Sequence, residues 1–143
     1  MNFKFKNILA SIFISTRPKQ WTKNFLIYLP LLFSVNESWQ FSEITTIQPL
    51  FVKTSIIFIA FCMITGAVYI INDLLDIKND KVHPVKNKRP IAANSLSPNL
   101  AVTAAIILFG SGIIISYFIN VQYCWIFEGI AVSCIKLRVL KRV

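Results

Sequence analysis

Eighteen consecutive residues without a charge, Thr54 to Ile71 (TSIIFIAFCMITGAVYII), constrain this chain more than any other feature. As a helix they rise about 27 Å, close to the ~30 Å hydrocarbon thickness of a bilayer. Leu100 to Asn120 (LAVTAAIILFGSGIIISYFIN) has the same character, and its Gly110, Ser111 and Gly112 offer a small-residue surface for close helix packing. Two further spans are expected. One covers residues 24–38, with Pro30 inside it and Trp21 and Trp39 as interface markers. The other covers 121–135 and holds Glu128 in mid-run, an intramembrane carboxylate to be weighed either as a functional group or as a sign that the segment is not a native span. The fold expected is therefore all-α, a multi-pass transmembrane helix bundle of about four spans (24–38, 54–75, 100–120 and 121–135) forming one domain over 1–143.

The composition sets limits on function. The chain is 55% hydrophobic yet carries a net charge of +9. A nucleic-acid binder spreads its basic residues over a polar surface. Here they cluster between long apolar runs, so the membrane is the expected partner and nucleic acid is not. Lys4, Lys6, Arg17, Lys19 and Lys23 precede the first span; Lys78, Lys81, Lys86, Lys88 and Arg89 lie between the second and third; Lys136, Arg138, Lys141 and Arg142 follow the fourth. Lys53 alone falls on the other side, in a loop with Glu37 and Glu43. The positive-inside rule then makes the N-terminus, the 72–99 loop and the C-terminus cytosolic. The first residues, MNFKFKNILASIFIS, lack a small-residue cleavage site and read as an uncleaved amphipathic segment on the membrane surface. Cys62, Cys124 and Cys134 show no metal-type spacing and read as apolar filler.

Of the six acidic residues, Asp73, Asp76 and Asp80 fall within eight positions, where the long apolar run ends and a basic burst begins. On a helix continued past Ile71 all three share a face, with Asn72 beside them. They repel one another unless a positive charge sits among them. A divalent cation bound to phosphate oxygens is one solution, since Mg²⁺ is usually held by one or two carboxylates plus substrate phosphates. His83-Pro84 ends the helix, and VKNKRP then offers Lys86, Lys88 and Arg89 to phosphate oxygens, forming an electrostatic clamp suited to a departing diphosphate. Spacing alone leaves a solvated helix end as the alternative. A calcium EF-hand loop does not fit, because DLLDIKNDKVHP lacks its glycine and distal glutamate. Leu74 after Asp73 also departs from the D-G-x-x-A-R run of the CDP-alcohol phosphotransferases. His83, the one histidine, has no partner ligands of metal type in the sequence and reads as a loop residue.

NDLLDIKND has the form N-D-x-x-D-x-x-x-D, which resembles the first aspartate motif of the UbiA superfamily of intramembrane prenyltransferases. With HPVKNKRPIAA after it and RPKQWTKN before the first span, the stretch from Arg17 to Ser97 is similar to the decaprenyl-phosphate phosphoribosyltransferase branch. The resemblance implies an all-helical fold in a bacterial inner (plasma) membrane, with a central cavity open to lipid. It implies transfer of a phosphoribosyl group from phosphoribosyl pyrophosphate to a polyprenyl (decaprenyl) phosphate, with Asn72, Asp73, Asp76 and Asp80 holding Mg²⁺ and pyrophosphate. Lys86 and Arg89 would contact phosphate oxygens, and Arg17, Lys19 and Lys23 would face the acceptor phosphate or the ribose 5-phosphate. A UbiA-type aromatic prenyltransferase is the alternative within the enzyme class, and RPKQWTKN argues against it. A non-catalytic membrane protein binding phosphate or anionic lipid through its basic loops is the alternative outside it.

Members of the superfamily have about nine membrane helices and a second aspartate-rich motif facing the first. Here Glu128 is the only acid beyond Asp80, and CIKLRVLKRV echoes a family basic stretch only loosely. The expectation is of a truncated, N-terminal part of such an enzyme, with a C-terminal half supplied elsewhere or lost.

Overall fold

A computed structural model describes residues 2–34, 44–120, 126, 129 and 131–136. Helix α1 (Asn2–Ser15) is followed by a 3₁₀ segment, Pro18–Tyr28, and a short α2 (Leu29–Phe33). The long α3 (Ile44–Leu75) carries the uncharged run, α4 (Ile77–Val82) follows one residue later, and α5 (Pro98–Ile119) comes after a loop holding a 3₁₀ turn, Lys86–Lys88. The described architecture is all-helical.

Two helices are long and apolar enough to cross a membrane, Thr45–Leu75 within α3 and Pro98–Ile119. Helix α3 begins ten residues before Thr54, because Pro49 lies only five residues into it and removes a hydrogen bond near the helix start rather than in its middle. The segment expected to span at 24–38 is a 3₁₀ stretch and a five-residue helix over its described part, and residues 35–38 lie outside the described residues. Most of 121–135, with Glu128 and Cys124, also lies outside them, as do Glu37, Trp39, Glu43, Arg138, Lys141 and Arg142.

The core is the seam between α3 and α5. Ala60, Ile64, Ala67 and Ile70 recur at three- and four-residue spacing on α3 and are buried against Ala101, Ala104 and Ala105 of α5 and their neighbours. Gly112 is the closest approach: a Cβ there would stand 2.6 Å from Ile64 Cγ1 and 2.9 Å from the Ala60 carbonyl oxygen. Gly110, expected to share that surface, has nothing within 4 Å of the same position among the described residues. Hydroxyls in the apolar helices return to the preceding turn, as in Ser116 to the Gly112 carbonyl (2.8 Å) and Thr65 to that of Phe61 (2.9 Å). The outward face of α5 presents Ile106, Ile107, Ile114 and Phe118, a lipid-type surface.

Helix α1 reverses the usual sorting. Leu9, Phe13 and Ile14 are exposed, while Ser11 and Ser15 are buried and Ile8 and Ile12 pack toward α3. Its far end is fixed where Thr16 meets Gly66 of α3, close enough that a Cβ on Gly66 would lie 2.9 Å from Thr16 Cβ. In the following 3₁₀ segment side chains three apart eclipse. Pro18, Trp21, Asn24 and Ile27 accordingly turn inward, and Lys19 and Lys23 stay exposed. Asn24 Nδ2 anchors the segment by donating to Cys62 Sγ (3.2 Å) and Thr65 Oγ1 (3.4 Å) of α3.

Candidate functional site

The site lies where α3 ends, and three chain segments converge on it. The helix does not run unbroken through the aspartates as its sequence implies. Asp76 interrupts it with φ −92° and ψ 4°, although the ladder persists across the break through Asp76 N–H to Asn72 O (3.0 Å) and Asp80 N–H to Asp76 O (2.8 Å). An aspartate competes poorly for helical geometry, and the turn at Asp76 redirects α4 so that Asp80 is buried.

Asp73 and Asp80 side chains are each only 3% exposed. Buried carboxylates need paired charge or hydrogen bonds. Arginine supplies both. Arg89 Nη1 donates to Asp73 Oδ1 (3.2 Å) and to Asp80 Oδ2 (2.6 Å), so one nitrogen joins the two carboxylates. Arg17 Nη2 donates to the same Asp73 Oδ1, and its guanidinium lies over the Tyr69 ring, 5.0 Å from the centroid.

Each arginine is positioned by its own local fold. Arg17 stands between α1 and the 3₁₀ segment in the left-handed region (φ 54°, ψ 65°), where a residue other than glycine carries a cost of about 1–3 kcal/mol. The following Pro18 disfavours right-handed helix at Arg17, and the resulting reversal turns the guanidinium toward α3. Arg89 is set by the 83–97 loop. His83 Nδ1 accepts from the amides of Val85 (3.1 Å) and Lys86 (3.3 Å), which is a loop-building role. Downstream, the Pro90 carbonyl accepts from Ser95 N–H (2.9 Å), Leu96 N–H (3.1 Å) and the Ser95 hydroxyl (3.0 Å), with Asn94 at φ 58° closing the turn. Ile91 and Leu96 then sink into the α3–α5 core and pin the loop that presents Arg89.

The structure thus brings together Arg17, Asp73, Arg89 and Asp80. Asp76 is half-buried at the helix break, and Lys86 and Lys88 are exposed on the 3₁₀ turn that immediately precedes Arg89. Lys19 and Lys23 are exposed on the other segment that reaches the site. Asn72 Oδ1 is buried without a hydrogen-bond partner among the described residues, facing a cavity of about 120 Å³ that Tyr69 and Thr65 also line. Three further groups position the site without being singled out as site residues by the sequence. Tyr69, one helical turn before Asp73, is readable from i, i+4 spacing; Gly66 and Asn24 require the tertiary contact to be known.

Among the described residues no three acidic, histidine or cysteine side chains form a ready-made metal cage. Asp73, Asp80 and Asn72 are the residues that could hold a cation such as Mg²⁺ together with a ligand's own oxygens. Two carboxylate oxygens already converge on a single cationic atom, and next in sequence lies an amide oxygen with no partner among the described residues. A hard cation held by one or two carboxylates and completed by phosphates asks for no more from the protein.

The model of the UbiA prenyltransferase family matches residues 44–135, well over half of the chain. This protein belongs to that family. The relatives it resembles include the decaprenyl-phosphate phosphoribosyltransferase of Mycolicibacterium smegmatis, 31% identical over 115 residues, which is 80% of this chain and 35% of that protein. The enzyme of the same name from Corynebacterium glutamicum is 32% identical over 130 residues, 91% of this chain and 35% of that protein. The nodulation protein NoeC of Azorhizobium caulinodans is 32% identical over 96 residues, 67% of this chain and 28% of that protein. The chain spans about a third of the length of these relatives. Family membership and two helices of spanning length place the protein in a membrane.

Proposed function

We propose that this chain carries the Mg²⁺- and pyrophosphate-binding part of an enzyme that transfers a phosphoribosyl group from phosphoribosyl pyrophosphate to a polyprenyl (decaprenyl) phosphate. The observation that carries the reading is the Arg17–Asp73–Arg89–Asp80 cluster at the end of a spanning helix. The names of the Mycolicibacterium smegmatis and Corynebacterium glutamicum relatives support the phosphoribosyl group and the decaprenyl-phosphate acceptor.

Asp73 and Asp80, with Asp76 and Asn72, would hold Mg²⁺. Bound there, the ion would neutralise diphosphate charge and make pyrophosphate a better leaving group. Arg89 and Arg17 offer planar guanidinium forks to the same oxygens, and Lys86 and Lys88 add mobile point charges from the loop. As the bond between the anomeric carbon and the pyrophosphate oxygen breaks, these cations offset the negative charge that collects on the leaving group. An oxygen of the lipid phosphate forms the new bond to the anomeric carbon, giving polyprenyl-phosphoryl-phosphoribose and free pyrophosphate. The attacking phosphate is already an anion, so no general base is required of the chain. Lys19 and Lys23 would receive the acceptor phosphate or the ribose 5-phosphate. The clustered basic residues support a cytosolic position for this site, in a bacterial inner membrane.

Mg²⁺-dependent binding of phosphoribosyl pyrophosphate tests this reading. Wild-type chain in nanodiscs should bind the ligand only with Mg²⁺, and Asp73→Asn or Asp80→Asn should abolish binding without loss of helix content. Normal binding by either folded variant would remove the aspartates from the site.

A further inference from the structure

The end of α3 away from the charged site carries a feature that the proposed function does not use. Lys53 is the only cation within the spanning stretch Thr45–Leu75. It precedes Asp73 by 20 residues of helix, a rise of about 30 Å, which matches the hydrocarbon thickness of a bilayer. With Asp73 at one interface, Lys53 therefore stands at the other. Among the described residues it makes no ion pair. Its exposed neighbours are apolar: Phe51 and Val52 beside it on α3, and Leu32 and Phe33 on α2. The ammonium is thus carried among side chains that face lipid. An ionisable residue so placed marks a binding site, or else its stem merely extends the charge to water.

A cavity decides between the two. Lys53 lines a space of about 570 Å³, well within the ~300–1,000 Å³ range of ligand pockets. Ile27 and Leu31 form one wall, Leu50 and Ile57 of α3 a second, and Ile119 at the end of α5 a third. The first two walls are held together. Tyr28 donates its hydroxyl to Ser55 Oγ (3.0 Å), and its ring packs on Phe51 and Phe58 with centroids 5.7 and 5.8 Å away. Ser34 and Thr54 add hydroxyls to the lining, but their protons are spent on the carbonyls of Leu31 (3.0 Å) and Leu50 (2.9 Å). Their oxygens can still accept. Lys53 is the one charged group among the described lining residues.

We propose that this cavity binds an anionic phospholipid of the leaflet opposite the charged site, with its phosphodiester at Lys53. Charge complementarity fixes the sign of the headgroup, and the apolar rim fixes its source, since a ligand arriving through lipid must itself be a lipid. The isoleucine and leucine walls take the first part of an acyl chain. The Ser34 and Thr54 oxygens are placed to accept from headgroup hydroxyls, as in phosphatidylglycerol. The site is independent of the phosphoribosyl chemistry proposed above.

The test is photolabelling of the full chain in nanodiscs with phosphatidylglycerol bearing a diazirine in its headgroup, with the labelled peptides mapped by mass spectrometry. Label should fall on residues 30–34 and 50–54. Unlabelled phosphatidylglycerol should compete, and phosphatidylcholine or inorganic phosphate at equal concentration should not. Lys53→Gln should lower this labelling on the order of tenfold, and Lys53→Arg, which keeps the charge, should restore it. Lys53→Met, an apolar side chain suited to lipid, gives the same reading if the glutamine variant does not insert. Lys81→Gln removes an exposed cation at the other end of the molecule and should leave the labelling unchanged. Undiminished labelling without the Lys53 charge, or equal competition by phosphatidylcholine, would overturn the site. Equal competition by inorganic phosphate would overturn the lipid as its occupant.

Discussion

Arg17 and Asp73, 56 residues apart in the chain, form an ion pair at the end of α3. Asp73 uses the same oxygen for Arg89, which also holds Asp80. The segment before the first long helix, the helix end and the following loop are thereby tied into one charge-balanced unit. The repulsion expected among the aspartates is relieved by two arginines from distant parts of the sequence, before any ligand is considered.

Removing Arg89 should leave two buried carboxylates facing each other with one partner fewer. Arg89→Gln should destabilise the protein by about 3 kcal/mol, the scale for breaking a buried pair from one side. Thermal unfolding in detergent measures it. Adding Asp80→Asn should restore part of the loss, because the unpaired charge is then gone.

Lys86 and Lys88 are exposed on the 3₁₀ turn and contribute little to folding. Lys86→Ala/Lys88→Ala should leave the melting temperature within about 1 °C while weakening phosphoribosyl pyrophosphate binding on the order of tenfold. The wild-type affinity should fall with added salt more steeply than that of the double variant. Binding titrations at two ionic strengths would show it.

Gly112 and Gly110 should respond differently to the same added methyl group. Gly112→Ala places a carbon against Ile64 and the Ala60 carbonyl and should cost about 2 kcal/mol, as overpacking does. Gly110→Ala meets open space and should be neutral or slightly stabilising. Unfolding curves of the two variants in the same detergent give the comparison.

Gly66 bears on the site through Thr16. Gly66→Ala should push the end of α1 away from α3, cost about 1 kcal/mol, and weaken donor binding because Arg17 is the next residue. Thr16→Gly in the same chain should return binding toward wild type, measured by the same titration.

Much of the fold is legible in the sequence because uncharged runs of spanning length admit few other structures. Thr54–Ile71 falls inside α3, and Leu100–Asn120 inside α5 except for Asn120, the residue that caps its end. The start of α3 is not legible, since Pro49 and Lys53 read as an end rather than an interior. The 3₁₀ form of Pro18–Tyr28 is hidden as well, because its three-residue burial pattern follows from what α3 offers it. In the site, the aspartate and Lys/Arg motifs are visible as spacing. The roles of Arg17 and Arg89 toward the aspartates depend on long-range geometry that spacing does not encode. The pinning of the loop by Ile91 and Leu96 is of the same kind, as isolated apolar residues in a basic loop carry no periodic signal.

The measurement that bears most directly on the central claim is phosphoribosyl transfer. Membranes containing this chain would receive labelled phosphoribosyl pyrophosphate, polyprenyl phosphate and Mg²⁺, alone and with the remaining length of the Corynebacterium glutamicum relative co-expressed. The account predicts labelled lipid in at least one of the two preparations, lost on Asp73→Asn. A properly inserted chain that forms no labelled lipid in either, or one whose Asp73→Asn variant transfers normally, would contradict it.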